Sequence, residues 1–257
     1  MTHVPLAYRE DGPADGPVLV LGSSLGTTGA VWQPQLAALA ATRRVIRYDH
    51  RGHGGSPAPP GPYRIEDLGG DVLALLDRLE LDRVDLAGLS LGGMVAIWLA
   101  AHAPDRVGRL ALLCTSARPG QPEFWRQRAA TVRSAGTGAV ADAVVGRWFT
   151  EGFHARHPGV VAWARAMVAG TPAEGYAACC DAVATLDLDL LLPRITAPAL
   201  VVAGAMDPAF PLPHAERLVA GIAGARLAVV EAAHLASVEQ PDIVTELLIG
   251  FYHGGGS

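Results

Sequence analysis

The chain has 257 residues, half of them hydrophobic, and a formal net charge of −5 at pH 7. This length suits one large α/β domain or two small ones, and the apolar content is enough for a substantial core. The mild negative charge gives no reason to expect a nucleic acid or an anionic membrane as partner, although a small anionic substrate needs only one local cation.

The cysteines and the N-terminus indicate the compartment. The chain has three cysteines, Cys114, Cys179 and Cys180, and two of them are adjacent. An odd number and this spacing disfavour a structural disulfide and indicate a reducing environment. Residues 1–12 contain no basic head followed by an apolar stretch, so no signal peptide is predicted. The longest uncharged run, residues 86–101, is interrupted by glycines and is interpreted as a buried strand and helix. We therefore expect a cytoplasmic protein.

The first predicted elements are two short strands at residues 4–10 and 18–22, separated by the turn residues DGPADGP. The second is apolar throughout, which is typical of a strand covered on both faces. It leads into a loop of small residues, 22–29, before a helix that begins near Trp32. A phosphate-binding loop is the alternative, but no Gly-Lys-Ser/Thr follows. The other use of such a loop is to present a backbone N–H to a reaction centre.

The next segments alternate between strand and helix. A strand at residues 43–49 is followed by a glycine-rich turn, and residues 65–79 have the apolar spacing of a helix with one buried face. A strand and helix at 84–101 and a strand at 109–114 come next. This alternation predicts a parallel sheet with helices on both faces.

The turn after the strand at 43–49 contains His50 and His53. Their spacing is that of metal ligands, but no acidic residue or cysteine follows nearby in the turn. We predict a structural turn, with metal binding as the less favoured alternative.

The pattern changes after Ser116, because residues 119–193 contain helical stretches and no convincing strand. Strands are predicted again at 199–204 and 226–231, and a final helix at 241–251. We interpret the helical stretch as an insertion over the C-terminal edge of the sheet, where ligands bind in open α/β sheets. The predicted core has two parts, residues 1–117 and 194–251. A helical cap at residues 118–193 lies between them, and residues 252–257 form a flexible tail.

The segment with the clearest chemistry is GLSLG at residues 88–92, which lies where strand becomes helix within the stretch 84–101. A G-x-S-x-G motif in this context places its serine, here Ser90, in a tight, strained turn that exposes the hydroxyl. The start of the helix would also direct unpaired N–H groups toward an oxyanion. The alternative is a glycine- and serine-rich turn without chemistry.

A serine nucleophile needs a base and an acid. Asp207 follows the strand at 199–204, and His234 follows the strand at 226–231. Separately, Asp207 could cap the turn before Pro208 and His234 could be a solvated loop residue. Together, the order Ser90, Asp207, His234 at three strand ends is the order of an α/β-hydrolase triad. The fallback acids are Glu231, Asp187 and Asp189.

These motifs carry a family resemblance over the whole chain. The chain resembles the α/β-hydrolases and, among them, the 3-oxoadipate enol-lactonases of the β-ketoadipate pathway of aromatic breakdown. Two of the resembling segments lie in the helical insertion, which shapes the pocket. The segments are SLGT (24–27), RYDHRGHG (47–54), GLSLGG (88–93), RWFT (147–150), EGYAACC (174–180) and AHLASVEQP (233–241).

The resemblance implies an α/β-hydrolase fold with a mostly parallel central sheet, flanking helices and a helical cap. It also implies that the substrate is a five-membered enol-lactone with an acetate arm, opened through an acyl-enzyme on Ser90. His234 would act as base, Asp207 would orient it, and the N–H groups of Leu25 and Leu91 would form the oxyanion hole.

The acetate arm requires a cation or hydrogen-bond donors within an apolar pocket. Candidates in the helical insertion are Arg128 and Arg133, with the indole N–H of Trp125 or Trp148 as a neutral donor. The alternative for each arginine is a solvated position on a helix, and for each tryptophan a place in the small core of the insertion.

We expect no cofactor and no metal. The expected substrate is a small lactone or ester that carries a carboxylate, with no nucleic acid and no membrane as partner. Other reactions of the same triad, C–C bond hydrolysis and perhydrolysis, stay open, as does a catalytically inactive ligand sensor. A homo-oligomer, or a fusion to another pathway domain through the glycine-rich end, also stays open.

Overall fold

The computed structural model describes residues 3–253, and its centre is a seven-stranded sheet. The strands are β1 (Tyr8–Asp11), β2 (Val18–Gly22), β3 (Arg44–Tyr48), β4 (Val84–Leu89), β5 (Val107–Leu113), β6 (Ala199–Gly204) and β7 (Arg226–Val230). Their order across the sheet is β1, β3, β2, β4, β5, β6, β7. Only the β1–β3 pair is antiparallel among these strands, so the predicted mostly parallel sheet is confirmed.

Helices connect and flank the strands, with α1 packed against α11 and α2 against α3. The helices are α1 (Gln33–Leu39), α2 (Ile65–Arg78), α3 (Leu91–His102), α4 (Pro122–Ala135), α5 (Gly138–Val145), α6 (Glu151–Arg156), α7 (Pro158–Ala169), α8 (Ala173–Ala184), α9 (Leu212–Gly221), α10 (Ala236–Glu239) and α11 (Pro241–His253).

The core forms where the sequence is apolar without interruption. In β2, Leu19, Val20 and Leu21 are almost completely buried, as expected of a central strand that is covered on both faces. Helix α3 is apolar on all sides and is buried along nearly its whole length. These two elements place the end of β4 and the start of α3 in the rigid centre of the molecule.

The chain between β5 and β6 contains the five helices α4–α8 and, within the described residues, no strand. Helix α4 packs against α8, and α5 packs against α7. The predicted helical character of this segment is confirmed, whereas its limits as a cap at residues 118–193 stay a prediction.

Two predicted boundaries at the chain ends are wrong. The first strand covers Tyr8–Asp11 instead of 4–10, because it pairs with β3 only there. The predicted tail begins too early, since Tyr252 and His253 belong to α11 and the Tyr252 hydroxyl donates a hydrogen bond to the Leu86 carbonyl in the core. The remaining predicted tail, residues 254–257, lies outside the described residues. No helix in residues 3–253 is long and apolar enough to cross a membrane.

Candidate active site

Ser90 occupies the sharp turn between β4 and α3. Its backbone has φ 55° and ψ −113°, a left-handed conformation that costs a residue with a side chain about 1–3 kcal/mol. The turn is possible because glycines surround it: a Cβ atom on Gly92 would overlap the backbone of Gly22, and one on Gly88 would overlap Gly92. The sequence therefore holds Ser90 in a strained position with its side chain clear of β4.

The structure brings the three predicted triad residues together. His234 Nε2 lies 2.9 Å from Ser90 Oγ, and His234 Nδ1 lies 2.8 Å from Asp207 Oδ2. Asp207 follows β6 and His234 follows β7, so both side chains come from the carboxyl ends of parallel strands. At 6%, 3% and 3% exposure for Ser90, Asp207 and His234, the hydrogen-bonded chain is shielded from bulk water.

The carboxylate of Asp207 is held in its charged form. Its second oxygen accepts the backbone N–H groups of Ala209 and Phe210, at 2.8 and 3.1 Å. Burial favours a raised pKa for Asp207, but the attraction of His234 and the hydrogen bonds from His234, Phe210 and Ala209 outweigh it and lower the pKa. An ionised Asp207 fixes the His234 tautomer with its proton on Nδ1, which leaves Nε2 free to accept the Ser90 proton.

The fallback acids lie elsewhere. Asp187 and Asp189 form ion pairs with Arg118 and Arg217. Glu231 is exposed to solvent. Among the four carboxylates considered, Asp207 alone contacts the imidazole of His234.

The two predicted oxyanion donors lie on two separate segments near Ser90. Leu91 is the first residue of α3, and Leu25 lines the cavity above Ser90. The neighbouring N–H groups are already used, since Gly26 donates to His53 Nε2 and Gly92 donates to the Ser23 carbonyl, each at 2.9 Å. The N–H groups of Leu25 and Leu91 are left as the candidates, and their role in an oxyanion hole stays a prediction.

His50 and His53 support the loop that carries Leu25. His50 Nε2 donates to the Ser23 carbonyl at 2.9 Å, and His53 accepts the Gly26 N–H while its Nδ1 faces the Arg51 carbonyl. Burial, together with the neighbouring His53, lowers the pKa of His50 to about 3, and burial lowers the pKa of His53 to about 4. Both rings are neutral at neutral pH and act as structural hydrogen-bonding groups. The described residues contain no group of three or more side chains suited to hold a metal ion.

A cavity of about 80 Å³ lies above the triad, between the strand ends and the helical segment. Of the four residues predicted to bind substrate, Trp125, Arg128 and Trp148 line this cavity together with Ser90 and His234. The structure does not bring Arg133 to this cavity. Its guanidinium forms ion pairs with Glu174 and Asp181, at 2.9 and 2.6 Å, so it has acidic partners already.

Sequence reasoning missed a second cation in the cavity, Arg147. The guanidinium groups of Arg128 and Arg147 lie 4.5 and 5.3 Å from the centre of the Phe124 ring, and Arg128 also lies over Trp125. Partial burial and the repulsion of Arg128 lower the pKa of Arg147. The only signal in the sequence is its place in the RWFT segment, because an arginine on a helical stretch is usually solvated.

A second missed residue is Glu239, which holds the loop of His234. One carboxylate oxygen accepts the Ala233 N–H at 2.9 Å, and the other accepts the N–H and hydroxyl of Thr150. On the other side of His234, the Leu235 N–H donates to the Trp148 carbonyl at 2.9 Å. The residues on both sides of the imidazole are thus tied to the segment 148–150 of the helical region. The available sequence signal is only that a glutamate follows the histidine by five residues.

Comparisons with known proteins agree with this architecture. Residues 17–241 match the family described as alpha/beta hydrolase fold. The chain is 42% identical over 238 residues to 3-oxoadipate enol-lactonase 2 of Acinetobacter baylyi, a match that covers 93% of this chain and 89% of the relative. It is 33% identical to 3-oxoadipate enol-lactonase 1 of the same organism, with 96% and 92% coverage.

Solved structures agree as well. The crystal structure of the enol-lactonase from Burkholderia xenovorans LB400 superimposes with a TM-score of 0.96 at 44% identity and covers 97% of both chains. A thermophilic esterase from Thermogutta terrifontis, solved with malate bound, gives a TM-score of 0.92 at 32% identity, with 98% and 94% coverage. The chain therefore belongs to the α/β-hydrolase family and, within it, to the family of the 3-oxoadipate enol-lactonases.

Proposed function

We propose that this chain is a serine hydrolase that opens 3-oxoadipate enol-lactone to 3-oxoadipate during the breakdown of aromatic compounds. The observation that carries the proposal is the hydrogen-bonded Ser90–His234–Asp207 chain at the floor of a cavity that also contains Arg128. The lactone has one reactive ester bond and one carboxylate, so a nucleophile and a cation in one cavity suit it.

The first step is attack by Ser90 on the ring carbonyl. His234 Nε2, 2.9 Å from Ser90 Oγ, removes the hydroxyl proton as the new C–O bond forms. The carbonyl oxygen becomes negatively charged, and the N–H groups of Leu25 and Leu91 stabilise it. The ionised Asp207 stabilises the imidazolium that results.

Collapse of the tetrahedral intermediate breaks the ring C–O bond. The leaving group is an enolate, which takes the proton from His234 and later tautomerises to the ketone. Because the leaving group stays attached to the acyl chain, water must cleave the acyl-enzyme before the ring closes again. His234 removes a proton from that water, the Ser90 ester is hydrolysed, and the serine recovers its proton.

The carboxylate arm is held by the roof of the cavity, which is the part of its lining that the helical segment between β5 and β6 provides. Arg128 supplies the charge, and the indole groups of Trp125 and Trp148 supply apolar surface with an N–H donor. A structural relative, the Thermogutta esterase, was solved with malate bound, so a protein of this fold can bind a small carboxylic acid.

A substrate panel with matched variants tests the proposal. Purified protein is given the enol-lactone, p-nitrophenyl acetate, and hydrogen peroxide with acetate, and the Ser90→Ala variant is measured beside the exposed-site control Ser134→Ala. We expect the lactone to be the best substrate, Ser134→Ala to be unchanged, and Ser90→Ala to lose about 10⁴-fold or more of the rate.

Each other outcome points to a specific alternative. Rapid hydrolysis of the ester without turnover of the lactone indicates a general ester or small-lactone hydrolase. Peracid formation as the main activity indicates a perhydrolase. Tight ligand binding with no turnover of any compound indicates a sensor, and activity that survives in Ser90→Ala rules out the mechanism.

A further inference from the structure

The hydroxyl of Tyr176 on α8 is a buried polar group that the proposed mechanism does not use. The side chain is fully buried, and its hydroxyl proton has no acceptor within residues 3–253, although the guanidinium of Arg128 lies close enough to donate to the oxygen. Tyr176 also lines the cavity that contains Ser90 and His234. A buried hydroxyl whose proton has no acceptor destabilises the folded chain, so one on a residue that lines a ligand cavity indicates an acceptor supplied by the ligand.

The ring of Tyr176 is held in a fixed position beside the loop of Leu25. Gly26, which has φ 79°, leaves room for it: a Cβ atom there would approach Tyr176 Cε2 to 2.9 Å. Burial raises the pKa of the Tyr176 phenol well above its ordinary value, and the nearby Arg128 opposes this only in part. The hydroxyl is therefore protonated at neutral pH and available as a rigidly placed hydrogen-bond donor.

The neighbours of this hydroxyl define the charge of its partner. Arg128 and Arg147 line the same cavity, and neither forms an ion pair with an acidic side chain in the described part of the chain. Two guanidinium groups without acidic partners favour an anion between them. A carboxylate has two acceptor oxygens, so it can accept from a guanidinium and from a phenol at once.

We propose that Tyr176 is a specificity-determining residue whose hydroxyl donates a hydrogen bond to the substrate carboxylate, beside the guanidinium of Arg128. This inference deepens the proposed function, on which it rests for the identity of the substrate. It assigns Tyr176 to recognition of the carboxylate arm rather than to the reacting ester bond.

The test compares Tyr176→Phe with Tyr63→Phe, whose hydroxyl donates to the Pro59 carbonyl and does not line this cavity. The reporter is hydrolysis of the neutral ester p-nitrophenyl acetate, inhibited competitively by butanoate or by the neutral butanamide. In Tyr176→Phe we expect the inhibition constant of butanoate to rise about tenfold or more, since hydrogen bonds to charged groups have this strength. The inhibition constant of butanamide, and kcat/KM for the ester, should each change by a smaller factor than the butanoate constant. Tyr63→Phe should match the parent chain.

A structural role would give a different pattern, which the melting temperature detects. Removing a hydroxyl whose proton has no acceptor should keep the melting temperature of Tyr176→Phe or raise it by about 2–4 °C. An unchanged butanoate constant, an equal loss for ester hydrolysis, a wild type that butanoate does not inhibit, or a variant that melts lower or does not fold would each overturn the proposal.

The neutral reporter separates the two proposals. If the wild type ignores the enol-lactone but shows Tyr176-dependent inhibition by butanoate, only the lactone assignment fails. If the lactone is hydrolysed and butanoate inhibition does not depend on Tyr176, only the role of Tyr176 fails. In the double variant Arg128→Met/Tyr176→Phe, we expect the two effects on the butanoate constant to be less than multiplicative, because both groups bind one carboxylate.

Discussion

The polar groups at the strand ends and those in the helical roof above them differ in how completely they are hydrogen-bonded. At the strand ends, Ser90, His234 and Asp207 form a closed chain of hydrogen bonds, and the second oxygen of Asp207 is also paired. In the roof, Arg128 lies over aromatic rings without an acidic partner within residues 3–253, and the proton of the Tyr176 hydroxyl has no acceptor there.

We interpret this difference as a division between proposed catalytic groups and proposed substrate-binding groups. Groups that move protons work best when they are already oriented, because no reorganisation is then needed during the reaction. Groups that recognise a ligand must keep their hydrogen-bonding capacity until it arrives, at some cost to the stability of the free protein. We expect changes at the strand ends to reduce turnover of every substrate, and changes in the roof to act only on charged ones.

The largest effect should come from Asp207→Asn. The amide oxygen can still accept from Ala209 and Phe210, but the NH₂ group then faces His234 Nδ1 and stabilises the wrong tautomer. We expect kcat to fall by about 10⁴-fold for the lactone and for p-nitrophenyl acetate alike. Steady-state kinetics with both substrates measure this, and a loss confined to the lactone would contradict the division between the two regions.

The roof is tested by Arg128→Met, with Arg133→Met as the matched control on the same helix. Removal of the Arg128 charge should lower kcat/KM for the enol-lactone by about 10²-fold and leave p-nitrophenyl acetate within about twofold. Arg133→Met breaks half-exposed ion pairs with Glu174 and Asp181 and should leave both substrates unchanged. Equal effects of the two variants on the lactone would remove Arg128 from the site.

A smaller effect is expected where the two regions are joined. In Glu239→Gln, an NH₂ group replaces one of the two oxygens that accept from Ala233 and Thr150, so the loop of His234 loses one anchor. We expect kcat to fall about tenfold for charged and neutral substrates, with KM nearly constant, because a small displacement of the base is costly. Glu231→Gln, an exposed change in the same loop, should show the parent kinetics.

The smallest effect on turnover is expected at His50 and His53. These two histidines should instead make the stability of the folded chain depend on pH. Their pKa values are about 3 and about 4 in the folded chain, below the value near 6.5 of an unfolded histidine. The unfolded state therefore binds more protons below pH 6.5, and the free energy of unfolding decreases as the pH falls. Between pH 7 and pH 5 each histidine should remove about 2 kcal/mol.

Urea unfolding across this range measures the loss. In His53→Gln the amide can still accept the Gly26 N–H but does not titrate, so the pH dependence due to this pair should be halved. A slope equal to that of the parent chain would show that His53 is not the neutral support of the Leu25 loop.

The sequence predicts that Ser90, His234 and Asp207 meet, because each position can be read from its own segment. Ser90 needs a glycine-flanked turn between a buried strand and a helix. The segment GLSLG after an apolar run predicts that turn directly. Asp207 and His234 follow from the rule that parallel strands present their carboxyl ends at one edge of the sheet. These constraints are short in range, so one sequence is enough.

The roof is harder to predict because its contacts join distant segments. Arg128 and Arg133 lie on one helix and read alike in sequence, but Arg133 meets Glu174 and Asp181 of α8, whereas Arg128 faces the cavity. Arg147 and Glu239 were missed for the same reason. Their roles depend on how α4, α8 and the loop of His234 pack together, and no periodicity within a helix encodes that.

The pairing of the Leu235 N–H with the Trp148 carbonyl has a consequence for protein engineering. Exchanging helices between relatives is an obvious route to a new substrate preference, but residues 148–150 also carry the scaffold of the general base through Thr150 and Glu239. A chimaera should therefore keep this short stretch from the same parent as its C-terminal strand and histidine. In a chimaera with a single junction, a junction before Trp148 keeps this stretch with the histidine and its native neighbours. A junction after Thr150 separates the two and would change both selectivity and proton transfer.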